Sequence, residues 1–185
     1  MKRISIMEYR KVNEEIYYPA TPNVIVAAKE IEYLKQKTLE NQRRRARFCT
    51  HMGVDDALHE MLIVHTSHTY VRPHLHHNKV ESLHIIEGEA ALLLFEQDGT
   101  IAEWIELGDY VSGKPFYCRI SEPRYHMLLI RSSFIVFHEV TNGPFRQADT
   151  VYAPWSPCDS DYIAIEEYLQ QLKLKKDKFS YQAVF

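Results

Sequence analysis

The sequence lacks the patterns that would place it outside ordinary globular proteins. It has no run of 18 apolar residues and no charged-then-apolar leader, so we expect a soluble, cytoplasmic protein without a membrane partner. Its three cysteines are an odd number without a CxxC pair, which favours reduced thiols over a disulfide framework. A net charge of −3 offers no electrostatic footprint for nucleic acid, and we exclude that partner.

Several common catalytic motifs are also absent. The chain contains no GxGxxG, P-loop, GxSxG or HExxH pattern. Dinucleotide binding, P-loop phosphoryl transfer, serine hydrolysis and zincin chemistry therefore have no support. With 185 residues, 45% of them hydrophobic, the chain is long enough to fold as one domain around its own core.

Histidine is concentrated in the middle of the chain, within the stretch from residue 51 to residue 138. In the segment HLHHNKVE, His74 and His76 share one strand face because side chains alternate. Glu81 opens the next predicted strand and could face the pair across the ladder as a third ligand, or instead accept a hydrogen bond from a ligating imidazole. Such donors suit one divalent ion, namely iron, manganese, nickel or zinc, and leave coordination positions open.

Short β-rich runs separated by turn residues fill the same middle segment. The runs span residues 61–64, 69–76, 81–86, 90–95, 101–105, 117–120, 126–130 and 134–140. Regular short antiparallel strands predict a sandwich or a barrel.

Helical spacing occurs only on either side of these runs. We expect an extended arm over residues 1–22, an amphipathic helix over about 27–42, and a second helix around residues 162–172. The predicted organisation is an N-terminal arm and helix (1–50), a barrel (51–158) and a C-terminal helix and tail (159–185), within one structural domain.

Arginines near these elements have two interpretations each. Arg43, Arg44, Arg45 and Arg47 could form a cationic helix C-terminus, or a clamp for a phosphate or carboxylate over the barrel mouth if the chain folds back. Arg72 shares a strand face with the histidine pair and could hold the same groups on a substrate, or join a surface ion pair.

Four further side chains are candidates for the site. His138 and Glu139 alternate, so only one of them can face a cavity and serve as general acid or base with a shifted pKa. Tyr70 and Tyr117 could line a substrate pocket, or pack within a small barrel.

The histidine segment resembles the first motif of the cupin superfamily. His74, His76, Glu81 and Gly88 match its HxH-x4-E-x6-G spacing, although His68 replaces the usual glycine before the first histidine. The resemblance implies an all-β core in the form of a cupin double-stranded β-helix, or jelly-roll barrel, with the N-terminal arm and helix and the C-terminal helix outside it.

The second cupin motif is present in degraded form. Gly108, Pro123 and His126 stand in the expected order, but the usual P-x-G is missing and Ile130 replaces an asparagine. The resemblance makes His126 the fourth metal ligand.

Longer runs resemble the WbuC-type cupin-fold metalloproteins over about residues 24–158. The runs are RARFCTH, HEMLI, RPH, FHEVTNGPF and APW. These proteins are associated with bacterial gene clusters for O-antigen and other surface polysaccharides, without a firmly assigned reaction. The resemblance implies a small-molecule ligand and a homodimer. It also implies isomerase or epimerase chemistry on a sugar or nucleotide sugar. In that chemistry the metal polarises a carbonyl while a nearby His or Glu moves a proton. The alternatives are an iron-dependent dioxygenase and a non-catalytic metal-binding or small-ligand sensor.

Overall fold

Two β-sheets packed face to face form the body of the protein in a computed structural model that describes residues 8–175. The strands are β1 (Tyr9–Lys11), β2 (Ile16–Pro19), β3 (Arg45–Cys49), β4 (Leu58–Thr66), β5 (His74–His76), β6 (Glu81–Glu87), β7 (Glu89–Phe95), β8 (Ile101–Gly108), β9 (Tyr117–Ile120), β10 (Tyr125–Ile130), β11 (Phe134–Asn142) and β12 (Thr150–Tyr152). The helices are α1 (Ala28–Glu40) and α2 (Tyr162–Leu174), with short 3-10 turns at Tyr110–Ser112 and Gln147–Asp149.

The strand order is that of a jelly roll. The larger sheet has the order β1-β2-β3-β4-β11-β6-β9, and the smaller sheet has the order β12-β5-β10-β7-β8. From β4 onward, each successive strand joins the opposite sheet, except at the β7–β8 hairpin. This alternation winds the chain around a common interior, as a double-stranded β-helix does. The predicted all-β jelly-roll core is therefore confirmed, although its two sheets remain separate rather than closing into one barrel.

The core has three apolar layers. The interior between the sheets contains Leu83, Ile85 and Phe137. Helix α1 covers the outer face of the larger sheet through Leu34, which is fully buried. Helix α2 covers the outer face of the smaller sheet through Leu172. Both predicted helices are thus confirmed, and each lies outside the sheets.

Local chemistry sets the ends of α1. Burial of Leu34 and Thr38, four residues apart, follows the apolar stripe of the sequence. The carboxylate of Glu30 accepts a hydrogen bond from the backbone N–H of Ala27 at 2.8 Å and secures the first turn. After Glu40, the Asn41 side chain donates to the carbonyl of Arg45, so the chain turns directly into β3.

The expected N-terminal boundary and the helical interpretation of the arginine run are wrong. Strand β3 pairs with β4 over five residues, so a division at residue 50 cuts through the larger sheet. The described part of the extended arm, from residue 8 onward, also contributes to this sheet, because β1 pairs with β2 and β2 runs parallel to β3; residues 1–7 of the predicted arm lie outside the described residues. Arg45 and Arg47 consequently lie on a strand, not at the C-terminus of a helix that ends at Glu40.

The eight predicted strands all occur, with one much shortened. Strand β5 contains only His74–His76, because Pro73 has no N–H for the ladder. Within residues 8–175, neither helix is long and apolar enough to cross a membrane. Part of the predicted tail lies outside the described residues.

Candidate metal centre

Three histidines converge because two short strand segments are neighbours. Strands β5 and β10 pair antiparallel with His126 directly opposite His74, and His76 follows on the same face. The ring centroid of His74 lies 4.6 Å from that of His126 and 4.8 Å from that of His76. One nitrogen from each ring lies within 4.8 Å of the others. These three side chains could hold a metal ion.

Each of the three rings is oriented through its other nitrogen. The Nδ1 of His74 lies 2.8 Å from the carbonyl of Arg72, and the Nδ1 of His126 lies 2.9 Å from the carbonyl of Arg124. A carbonyl can only accept, so Nδ1 carries the proton in both rings and the Nε2 lone pair is free. The Nδ1 of His76 lies 3.1 Å from the Thr150 hydroxyl. Such outer contacts are typical of metal-ligating histidines.

Glu81 reaches the histidines from the opposite sheet. Its strand β6 does not pair with β5, so the expected approach across one ladder is wrong, and the carboxylate instead crosses the interior. Glu81 Oε2 lies 3.2 Å from His126 Nε2 and 3.6 Å from His76 Nε2. Glu81 therefore contacts two of the three histidines from the opposite sheet, while the side chains that lie mutually close enough to hold a metal ion are the three histidines.

Two of these donor atoms are buried without a hydrogen-bond partner. Glu81 Oε2 and His126 Nε2 are in ion-pair contact at 3.2 Å, and neither atom has a hydrogen-bond partner among residues 8–175. Buried polar atoms are normally paired, because an unpaired one costs about 1–3 kcal/mol. A divalent cation between these atoms would satisfy both, and imidazole plus carboxylate is a suitable donor set. The residues present therefore fit a metal.

The pKa shifts of three of the four donors agree with this fit. Burial lowers the pKa of His74 to about 3 and also lowers the pKa of His76, so both rings are neutral near pH 7. Burial opposes ionisation of Glu81, but contact with His126 outweighs it and lowers the pKa of Glu81 to about 2. Burial likewise lowers the pKa of His126, but Glu81 outweighs it and the net shift is upward. A proton and a metal would compete for His126 Nε2.

A cavity of about 420 Å³ extends from the histidines between the sheets. Glu139 lines this cavity from β11, and His138 lies on the outer face, 3.6 Å from Glu60. Of the alternating pair, Glu139 is therefore the member inside. Burial, reinforced by the charge of Glu81, raises the pKa of Glu139 well above its usual range. Glu139 thus lies in the cavity with its protonated form favoured, and His138 does not line this cavity.

The structure brings one of the three predicted pocket residues to the cavity. Arg72 lines it, and its guanidinium donates to Ser156 Oγ at 3.0 Å and to the Ala153 carbonyl at 2.9 Å. Tyr70 lies on the far side of the smaller sheet, where its hydroxyl donates to the carbonyl of Pro157. Tyr117 lies on β9 and is 53% exposed. The prediction that these two tyrosines line the pocket is corrected: both point away from the interior.

The sequence left open a role for Arg45 and Arg47 over the barrel mouth, but it did not indicate the other side chains at this end of the cavity. Arg45, Arg47 and His65 line it together with Glu15 and Tyr18. The alternation in β3 was the available signal, because Ala46 and Phe48 pack under α1 and their neighbours must face inward.

The chain is similar to one family model and, distantly, to solved structures. A family model described as a domain of unknown function, DUF6016, matches residues 26–107. No curated protein matches the sequence. Protein SO0799 from Shewanella oneidensis is 10% identical, with a TM-score of 0.45 over 53% of this chain and 63% of that chain. The capsular polysaccharide assembling protein CapF from Staphylococcus aureus is 16% identical, with a TM-score of 0.47 over 60% of this chain and 30% of that chain. In both cases the chain spans less than two thirds of the other protein.

Proposed function

We propose that this protein binds one divalent metal ion through His74, His76, His126 and Glu81, and uses it to move a proton on a sugar or nucleotide sugar. The observation that carries the proposal is the buried, unpartnered pair of Glu81 Oε2 and His126 Nε2, at the inner end of a cavity large enough for a small molecule. A divalent ion held there would polarise a carbonyl or hydroxyl oxygen of a ligand.

Glu139 is the group of this chain that handles the proton. Its raised pKa favours the protonated carboxyl, which can donate to a ligand oxygen or, once deprotonated, take a proton from carbon. Met61, Leu83 and Phe137 form apolar walls of the cavity that Glu139 lines. Arg72 holds the segment that contains Ala153 and closes one side of the cavity.

The choice of sugar as substrate rests on resemblance. The WbuC-type sequence runs support a role in bacterial surface polysaccharide biosynthesis, the context in which that family is found. Isomerases and epimerases shift a proton next to a carbonyl, which requires one acid or base and one electrophile. Glu139 and the four metal-binding side chains would meet that requirement.

Metal analysis tests the binding step. Protein purified without added metal should contain close to one divalent ion per chain, and His76→Ala should contain almost none. His77→Ala is the matched control, because this neighbouring imidazole lies on the other strand face and leaves the metal content unchanged. Equal metal in the two variants would contradict the proposed ligand set.

Solvent exchange tests the chemical step. Metal-loaded protein is incubated with a panel of nucleotide sugars in D2O, and deuterium at carbon is measured by mass spectrometry. We expect incorporation into one member of the panel, loss of incorporation in Glu139→Gln, and retention in His138→Gln. Saturable sugar binding without any exchange would instead support a non-catalytic sensor, and consumption of oxygen would support a dioxygenase.

A further inference from the structure

Arg47 occupies an unusual place in the cavity. It lies in the middle of β3, where Ala46 and Phe48 pack outward under α1 and Arg47 faces inward. Across the ladder it is opposite Ile63, which belongs to the apolar interior. A guanidinium at this position is held against apolar side chains rather than in open solvent.

The neighbouring arginines already have acidic partners. Arg45 Nε lies 2.7 Å from Glu15 Oε2, and Arg43 Nη2 lies 2.5 Å from Asp159 Oδ2. Arg43 also approaches the second oxygen of Glu15 at 3.7 Å. Two carboxylates therefore neutralise two guanidinium groups at this end of the cavity.

Arg47 has no such partner among residues 8–175. Its side-chain contact is a weak one, from Nη1 to the sulfur of Met61 at 3.8 Å. A guanidinium carries five N–H donors, and a partly buried cation without an anion is costly. Glu139 faces the same cavity, but it forms no ion pair with Arg47.

The backbones of Arg47 and Glu81 lie on strands that are not neighbours. Strand β3 is three strands away from β6, which carries Glu81, and the order between them is β4 then β11. At about 4.8 Å per strand, the two backbones are roughly 14 Å apart. Glu139 lies on β11, between them. A ligand that reaches both ends would place its anionic group several bonds from the oxygen at the metal centre.

We propose that Arg47 is the anion-binding residue of this cavity and takes a phosphate or carboxylate group of the substrate. A guanidinium pairs with either group through two parallel hydrogen bonds. The proposal rests on the proposed function, and it narrows the substrate to a sugar derivative that carries a phosphate or a carboxylate. Neutral sugars would lack the group that Arg47 recognises.

Anion titration tests this assignment. Binding of inorganic phosphate is followed by 31P NMR, and binding of acetate by 13C NMR, to wild-type protein and to Arg47→Gln, both loaded with zinc. We expect saturable binding of at least one anion to wild type, and about tenfold to a hundredfold weaker binding to the variant, the usual range for loss of a charged hydrogen-bonding partner. The anion that binds more tightly indicates whether the substrate group at Arg47 is a phosphate or a carboxylate.

Three further variants keep the outcome interpretable. Arg47→Lys retains the charge but loses the paired donors, and its affinity for the anion should lie between those of wild type and Arg47→Gln. Arg119→Gln removes an exposed arginine outside the cavity and should bind as wild type does. His76→Ala should lose zinc and still bind the anion. Binding that is unchanged in Arg47→Gln but lost in His76→Ala would refute the arginine subsite and leave the metal proposal standing. Absence of saturable binding to wild type would refute the subsite too.

Discussion

Substitution of Gly88 by alanine should destabilise the fold far more than the same substitution at a glycine without close neighbours. Gly88 connects β6, which carries Glu81, to β7, which pairs with the strand of His126. Its φ of +86° lies in the left-handed region, where an alanine costs about 1–2 kcal/mol. The chain crosses between the two sheets at this residue, so a local change there affects both halves of the metal centre.

Steric contact adds to the conformational cost. A Cβ at Gly88 would overlap the carbonyl oxygen of Phe134 and lie 2.5 Å from Ser132 Oγ, so the start of β11 must move. Such overpacking costs about 1–3 kcal/mol, and the stiffer unfolded chain offsets about 0.4–1 kcal/mol of the total. We therefore expect Gly88→Ala to lower the free energy of unfolding by about 3 kcal/mol, which for a chain of this size is roughly 6–12 °C in Tm.

Urea unfolding of the EDTA-treated protein, followed by circular dichroism, measures this loss. Gly53→Ala is the matched control, because no atom lies within 4 Å of its added Cβ. We expect the control to remain within about 0.5 kcal/mol of wild type, as surface substitutions usually do. A Gly88→Ala protein as stable as the control would refute the steric argument.

Two other predictions concern the cavity. Thr150→Val removes the hydroxyl that contacts Nδ1 of His76, and it should weaken metal binding by about tenfold or more. Competition with a chromogenic chelator measures this affinity. An unchanged affinity would show that the hydroxyl does not orient the ring. Burial lowers the pKa of His65 well below 6.5, so the unfolded chain binds a proton that the folded chain does not, and stability falls as pH drops below about 6.5. His65→Gln should therefore flatten the decline of unfolding free energy between pH 6.5 and 5 by up to about 1.4 kcal/mol per pH unit in urea titrations, and an identical slope would contradict a neutral buried ring.

The parts of the site that depend on local periodicity were predictable from the sequence. His74 and His76 share a face because a strand repeats every two residues, and the same rule makes His138 and Glu139 alternatives. Tyr117 could have been placed outside by the same logic, since Cys118 beside it faces the interior.

The parts that depend on long-range pairing were not predictable in this way. Glu81 lies close to the histidines in sequence, which suggested one hairpin, but the chain changes sheet between β5 and β6. The arginines of β3 follow a helix without a clear stop signal, and only pairing with β4 fixes them as strand residues. Sheet partnership is decided by contacts between distant segments, and a single sequence does not contain that information directly.

The most direct test of the metal centre is anomalous X-ray diffraction from crystals of the metal-loaded protein, collected at the absorption edge of the bound element. We predict one strong anomalous peak per chain, within bonding distance of Nε2 of His74, His76 and His126 and of a carboxylate oxygen of Glu81. A fully loaded protein whose anomalous peak lies elsewhere, or beside the thiol of Cys49, would contradict this assignment.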